Sequence, residues 1–409
     1  MKLPLDIFDS VFALLSEDPE GPDVKTLKAC NLVSFSLSKT CEPHLFACVY
    51  LPDIYDPRCR MSIFHFSEIL RAKPHVARYV RRLGLLALDA TYWTSNQKYL
   101  CKVVQDVLIQ LRYDNIRWFK IYAARRIPFI ALPGAITDIM KLPTLEVVHI
   151  HSISQMHGSI FSSPRNRPWV LDIGDSSVVP DMSSSSKEHE PRTPSPNRNL
   201  HQLIMRYNCS GSGLASTLLT PQNQGPFLDI SHLKVLQLGD RSDAIYERTW
   251  NLAHTIALSC ARNLTTLKMS SFPRSLDGVT DFYDIFKGLS NTLETLVMWH
   301  PRADVVDRLL GVPFTFTSLT EIQLDLFPEI RLKEADFWEK VDLALCDEGR
   351  YPLLEHVPVE IQWYRGQNRW QDHSDVVDRI ESIKDSLLPM TKSRGIRSGV
   401  SLKVTNRPS

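Results

Sequence analysis

The sequence predicts an α/β fold in two parts. A small module of three helices comes first. A solenoid follows, with short parallel strands on its concave face and helices outside. Three observations predict it. A pattern of apolar, two residues, apolar, one residue, apolar returns nine times along the chain. Between the copies lie stretches with apolar residues at three-to-four spacing. Ahead of them all, residues 1–51 carry helical patterns and no copy of the repeat.

The opening stretch reads LPLDIFDSVFALL from Leu3. Pro4 suits a first helical turn, where its missing N–H would lack a partner anyway. Ile7, Val11, Leu14 and Leu15, with Phe8 and Phe12 beside them, make a broad apolar face at three-to-four spacing. After a polar break, Asp23 is placed to cap a second helix, on which Leu27, Cys30, Val33 and Leu37 repeat the spacing. Pro43 is expected to open a third helical turn carrying Leu45 and Phe46. Three short helices cannot bury this much apolar surface among themselves. Either the rest of the chain or a partner covers it.

These residues carry a resemblance. Leu3-Pro4 followed by Asp6-Ile7, a helix running to Leu14-Leu15, the segment from Thr26 through Leu27 and Leu32 to Val33, and Pro43-His44-Leu45-Phe46 leading into a strand-like Val49-Tyr50-Leu51 together resemble an F-box. Basidiomycete F-box proteins with irregular leucine-rich repeats at the C-terminus look especially similar; at motif level the resemblance covers about an eighth of the chain. The resemblance implies a substrate-recognition subunit of an SCF-type (cullin-RING) ubiquitin ligase, with no catalysis of its own. It implies that Leu3, Pro4, Ile7, Leu14, Leu27, Leu32, Val33 and Leu45 hold the Skp-type adaptor, and that the solenoid holds an unknown target protein. One run departs from the family pattern. Where the family often has Cys-Arg-x-Trp, this chain has Ser34-Phe35-Ser36-Leu37, so Leu37 keeps bulk without an indole and the basic residue is missing. A different reading stays open: a non-ligase leucine-rich scaffold whose N-terminal helices cap the solenoid, because an exposed solenoid end needs a cap.

The nine copies start at Val80, Ile116, Leu145, Leu200, Leu233, Leu264, Leu293, Leu319 and Leu354, with successive offsets of 36, 29, 55, 33, 31, 29, 26 and 35 residues. Apart from one long gap, that is the period of a leucine-rich repeat of the longer, helical kind. The alternating core of each copy is a short strand with one face buried. Helical spacing lies between copies at Leu100–Leu111, Phe282–Leu289, Phe337–Leu345 and Val376–Leu387. No such unit buries its own core, so the units stack. In the long gap, Pro168–Leu171 is expected to supply a degenerate strand. Residues 174–199 are Ser/Pro-rich and charged, with too little apolar surface to offset ordering, and are expected to be disordered. Thr193-Pro194 and Ser195-Pro196 within them fit proline-directed phosphorylation beside Arg192 and Arg198. A second loop, Gly211 to Pro226, is also expected to be mobile. The expected divisions are therefore 1–51, 52–173, 174–199 and 200–409.

The third, fifth and seventh positions of each copy point to the concave face. They present Arg82, Trp118, Lys120, Tyr122, His149, His151 and Arg206 early, then Lys268, Trp299, Glu321, Gln323, Asp325, His356 and Glu360 later. A basic, aromatic end and an acidic end are the expected target-binding surface, since aromatic and arginine side chains dominate binding hot spots. The alternative for Trp118 and Trp299 is partial burial under neighbouring loops.

Bulk properties exclude other classes. A net charge of +1 gives no electrostatic case for nucleic acid or an anionic membrane. No apolar run reaches bilayer length, and Asp6 and Asp9 speak against a signal peptide. The eight cysteines are scattered without a CxxC pair, as expected of free thiols in the cytoplasm or nucleus. No GxSxG, Walker, GxGxxG or HExxH motif is present, so neither an enzyme nor a cofactor is expected. His149, His151 and His157 cluster in sequence, but no acidic or cysteine partner is read beside them. A polar surface role, and no metal, is expected there.

Overall fold

The computed structural model describes residues 5–17, 23–51, 57–88, 98–111, 115–132, 134–157, 160, 169–179, 200–206, 230–239, 247–270, 279–300, 311–326, 335–365 and 388–406. The first helices are α1 (Leu5–Glu17), α2 (Val24–Val33) and α3 (Phe35–Leu45). Asp23 caps α2 as expected: its carboxylate accepts the Thr26 N–H at 3.0 Å and the Thr26 hydroxyl at 2.6 Å. The hydroxyl bond, with the backbone bond behind it, holds the Asp23 carboxyl below its ordinary range. Pro43 does not open the third helix. Ser34 does, accepting the Leu37 N–H at 3.2 Å, and Pro43 sits in the last turn of α3, where the helix forgoes one i→i−4 hydrogen bond. Phe12, Leu27 and Cys41 form the buried centre, with Phe8, Leu15, Cys30, Leu37 and Leu45 packed against it. The Cys41 thiol donates to the Leu27 carbonyl at 3.1 Å, and burial pushes its pKa up.

The chain divides into two compact units, the first holding α1–α3 and the other described elements up to Leu200, the second those from His201. The first contains β1 (Cys48–Leu51), α4 (Pro57–Ala72), a 3₁₀ turn at Pro74–Tyr79, β2 (Arg82–Leu88), α5 (Lys98–Gln110) and β3 (Trp118–Pro128). Then come α6 (Gly134–Met140), β4 (Val147–Ser154), β5 (Met156–His157), β6 (Val170–Gly174) and β7 (Val178–Val179). Strands β1, β2, β3, β4 and β6 pair in that order, all parallel, in the register Cys48, Arg82, Trp118, Val147, Val170. Strands β5 and β7 form a separate parallel pair. Leu83, Leu85, Phe119, Ile121, Val148, Ile150, Leu171 and Ile173 alternate to the buried face of the sheet.

The second unit contains β8 (Gln202–Arg206), β9 (Val235–Leu238), α7 (Glu247–Ser259), β10 (Thr266–Met269), α8 (Val279–Leu289) and β11 (Thr295–Trp299). It ends with β12 (Glu321–Leu326), α9 (Ala335–Leu345), β13 (His356–Arg365), α10 (Pro389–Ser393) and β14 (Arg397–Asn406). These strands also pair in chain order and in parallel, Gln202 through Val235, Thr266, Thr295, Glu321 and His356 to Arg397. Parallel neighbours need a crossover, and α7, α8, α9 and the short α10 supply the helical ones described here. The fold is thus α/β with open parallel sheets.

All nine repeat copies became strands, and the stretch around Trp169–Leu171 became β6. Two expectations about division change. The helical module does not end free at residue 51, because β1 is the first strand of the sheet, and Glu42 of α3 pairs with Lys73 at 2.7 Å and His75 at 3.2 Å. Burial alone would raise the Glu42 pKa, but those hydrogen bonds outweigh it and lower it. Disorder expected from residue 174 does not begin there: Gly174 closes β6, and Ser176 donates its hydroxyl to the Gly174 carbonyl at 2.8 Å. Residues 180–199, with Thr193 and Ser195, the loop Gly211–Pro226 and the stretch Val376–Leu387 lie outside the described residues.

The C-terminal end of the second unit is clipped by one carboxylate. Buried Asp342 of α9 accepts the backbone N–H groups of Met390 and Thr391, each at 2.8 Å, and the Thr391 hydroxyl at 2.6 Å. Removing it leaves three donors without that acceptor. Asp342→Ala is expected to cost about 2–3 kcal/mol, read as a lower urea midpoint, together with faster amide exchange over residues 388–400.

Candidate functional site

Two surfaces of the first unit gather side chains assigned to binding. The first is the outer side of α1–α3. Ile7, Val11 and Leu14 lie at i, i+4 and i+7, one stripe of α1, and all three are exposed. Where α2 meets α3, Leu32 and Val33 are exposed by 84% and 71%, and Phe35 by 75%, with the Lys39 ammonium 4.6 Å from its ring centre. Four of the expected adaptor contacts, Ile7, Leu14, Leu32 and Val33, are therefore open to a partner. Leu27 is not. It is fully buried between Phe12 and Cys41, and Leu45 is packed on the same cluster. The geometry of a 3.6-residue turn required this: Leu32 lies five residues on, about 140° around the helix from Leu27. Leu3 and Pro4 lie outside the described residues. The exposure of Phe35 was not read from the sequence, although Ser34-Phe35 is where the F-box resemblance breaks.

The second surface is the face of the first sheet opposite its buried leucines. It carries a strip of rings. Tyr50 crosses Gly84, where a Cβ would collide with its ring, and meets Trp118 edge-on at 6.0 Å. Trp118 lies 5.1 Å from the His149 ring, and Tyr122 lies 6.2 Å from His151. Burial, then the neighbouring Cys48, pushes the Tyr50 hydroxyl up to about 12. Arg82, Trp118, Lys120 and His149 are half-buried and Tyr122 is exposed, so these expected positions do face outward. His149 and His151 are not surface histidines without acidic company. The next strand delivers Asp172, in register with His149, and its Oδ2 lies 2.8 Å from His149 Nδ1 and 3.4 Å from His151 Nε2. Asp172 is 1% exposed and His151 7%. The missing signal was strand pairing: Val170-x-Asp172 repeats the spacing of Val147-x-His149, but across a gap where the leucines had decayed. His157 lies on β5, in the separate β5–β7 strand pair.

In the second unit Arg206, Lys268, Glu321, Gln323, His356 and Glu360 are half-buried on their strands. Trp299 and Asp325 correct the expectation of an exposed aromatic and an exposed acid. They are 6% and 0% exposed, facing each other in register at the ends of β11 and β12. At that end the His300 N–H donates to the Asp325 carbonyl at 2.7 Å. The Gln323 amide also donates to the Asp325 carboxylate at 2.9 Å. Neither side chain is free to meet a target.

The arrangement presents an apolar helical face and a separate strip of aromatic, cationic and imidazole groups on the sheet. Among the described residues no helix is long and apolar enough to cross a membrane. No protein-family model matches the chain, and no curated protein matches it significantly.

Proposed function

We propose that the chain is a substrate-recruiting subunit of an SCF-type ubiquitin ligase, an F-box module joined to a leucine-rich solenoid. The observation that carries the reading is the set of large apolar side chains left exposed on α1 and at the α2–α3 junction, at positions where the F-box resemblance expects the Skp-type adaptor. Leaving four such side chains in water is unfavourable by roughly 1.5–3 kcal/mol each relative to full burial, which an apolar partner recovers in part. The outward face of the first sheet, with Arg82, Trp118, Lys120 and Tyr122, then holds the target. The subunit contributes proximity: it raises the effective concentration of target lysines near a ubiquitin-charged enzyme.

The scaffold reading has its own support, since β1 and the Glu42 pairs join the helices to the sheet as a cap would be joined. The two readings differ in what the outer face does. The full-length chain is expected to bind the purified adaptor in titration calorimetry, and the double variant Leu32→Asp/Val33→Asp is expected to lose at least about 100-fold in affinity, because two charges would be desolvated on binding, with an unchanged circular dichroism spectrum. No binding by the folded wild type, or equal binding by the variant, overturns the ligase reading in favour of the scaffold.

A further inference from the structure

We propose that His149, His151 and Asp172 form a binding site for a divalent first-row transition metal, of the zinc class, on the outward face of the first sheet. Two imidazoles two residues apart on β4 point to one side, and β6 brings a carboxylate beside them in register. These are the only three or more metal-competent side chains among the described residues whose donor atoms lie so close, all within 4.8 Å of one another. Zinc bonds to nitrogen and oxygen are about 2.0–2.2 Å long, so ligand atoms around a tetrahedral ion lie about 3.3–3.5 Å apart. The separations of 2.8 and 3.4 Å from the Asp172 carboxylate lie close to that value. The remaining pair of donor atoms, within 4.8 Å, reaches it by side-chain movement of up to about 1.4 Å.

The surroundings are built for such a use. A carboxylate that is 1% exposed is costly unless cations or donors compensate it. The His151 ring lies over Gly174, where any Cβ would run into it, so a residue without a side chain makes its place. Trp118 stands against His149, and Tyr122 against His151, limiting the rings to few orientations. His149, the most open of the three with a side chain 19% exposed, marks the side from which an ion and a fourth ligand arrive. Two nitrogens and one oxygen suit zinc or its first-row neighbours and not calcium or magnesium. Three protein ligands leave a position for water or a donor atom from a bound partner.

The competing arrangement is a purely hydrogen-bonded His–Asp–His group, and the test separates the two. Full-length protein, stripped with chelator and kept reduced, is titrated with Co²⁺ and followed by visible absorption, then by Zn²⁺ displacement. One equivalent is expected, with tetrahedral cobalt bands and without the near-ultraviolet thiolate bands that adventitious binding at cysteine would give. Loss of an outer-shell partner typically weakens a metal site 10–100-fold, so loss of a ligand, in His149→Ala, is expected to weaken binding by about 100-fold or more. Saturating Zn²⁺ raises the wild-type melting temperature and leaves that of the variant unchanged. Asp172→Asn, which keeps shape and hydrogen bonding, provides a second folded variant in which binding is also expected to fall. Absence of cobalt bands in the wild type, thiolate bands alone, or unchanged binding by His149→Ala overturns the site.

Discussion

Phe316→Ala is expected to destabilise the second unit by about 3–5 kcal/mol, in the range for removing a buried aromatic ring. Phe316 is fully buried on the segment that leads into β12. Its ring meets Phe286 of α8 at 6.2 Å edge-on, Phe314 at 5.4 Å, and Tyr351, stacked at 5.6 Å and 11°, on the lead into β13. One side chain therefore ties together a helix and the approaches to two strands. Its backbone N–H also donates to the Arg350 carbonyl at 2.8 Å, a bond that alanine keeps, so the loss reports the ring alone. A ring pair is worth about 0.5–1.5 kcal/mol beyond its area. Phe316→Leu, which restores much of the volume but not the pairing, is expected to recover more than half the loss. The check is equilibrium urea unfolding followed by circular dichroism, with the midpoint shifted and the slope unchanged. A cost below about 1 kcal/mol for Phe316→Ala would mean that the aromatic cluster does not pack as described.

The cluster reaches further than its rings. Arg394 donates to the Tyr351 carbonyl at 2.7 Å and to the Leu345 carbonyl at 3.0 Å, next to the segment that Asp342 clips. Phe316→Ala and Asp342→Ala therefore share neighbours and are not expected to add.

Strand positions were legible because a buried strand face has a period of two and leucine marks it plainly at Leu236-x-Leu238 or Leu267-x-Met269. Where the marks fade, legibility fails: β14 reads Ser398-Gly399-Val400 and was not read as a copy, though it pairs with β13 over ten residues. Caps behaved alike. Asp23 stood before an apolar period and was read correctly, whereas Ser34 stood inside one and was not, which displaced the start of α3 to Pro43. The histidine site was unreadable for another reason. His149 and Asp172 are 23 residues apart in the chain and meet only through β4–β6 register, which no local pattern encodes. Trp299 and Asp325 failed as surface residues because a repeat position specifies the side of a strand and not how deeply that position is covered.

The same distinction between side and cover gives the sharpest test at the helical module. Leu27→Ala is expected to destabilise α1–α3 by about 2–5 kcal/mol, the range for truncating a buried leucine, because Leu27 is fully enclosed by Phe12, Cys41 and their ring of half-buried neighbours. Its carbonyl still accepts the Cys41 thiol, so the loss comes from the vacated volume. Leu32→Ala, at 84% exposure, is expected to change stability by no more than about 0.5 kcal/mol. On the proposed ligase reading, adaptor affinity falls in both, for opposite reasons. In Leu27→Ala it falls with the folded fraction, and cooling or a stabilising osmolyte restores it; in Leu32→Ala it falls at full helicity and nothing restores it. The two are separated by thermal melts of α1–α3 read by amide exchange, beside calorimetric binding at two temperatures. A Leu27→Ala protein that melts like the wild type would place Leu27 on the surface after all. A Leu32→Ala protein that binds like the wild type would remove the α2–α3 junction from the docking face and leave the α1 stripe to carry it.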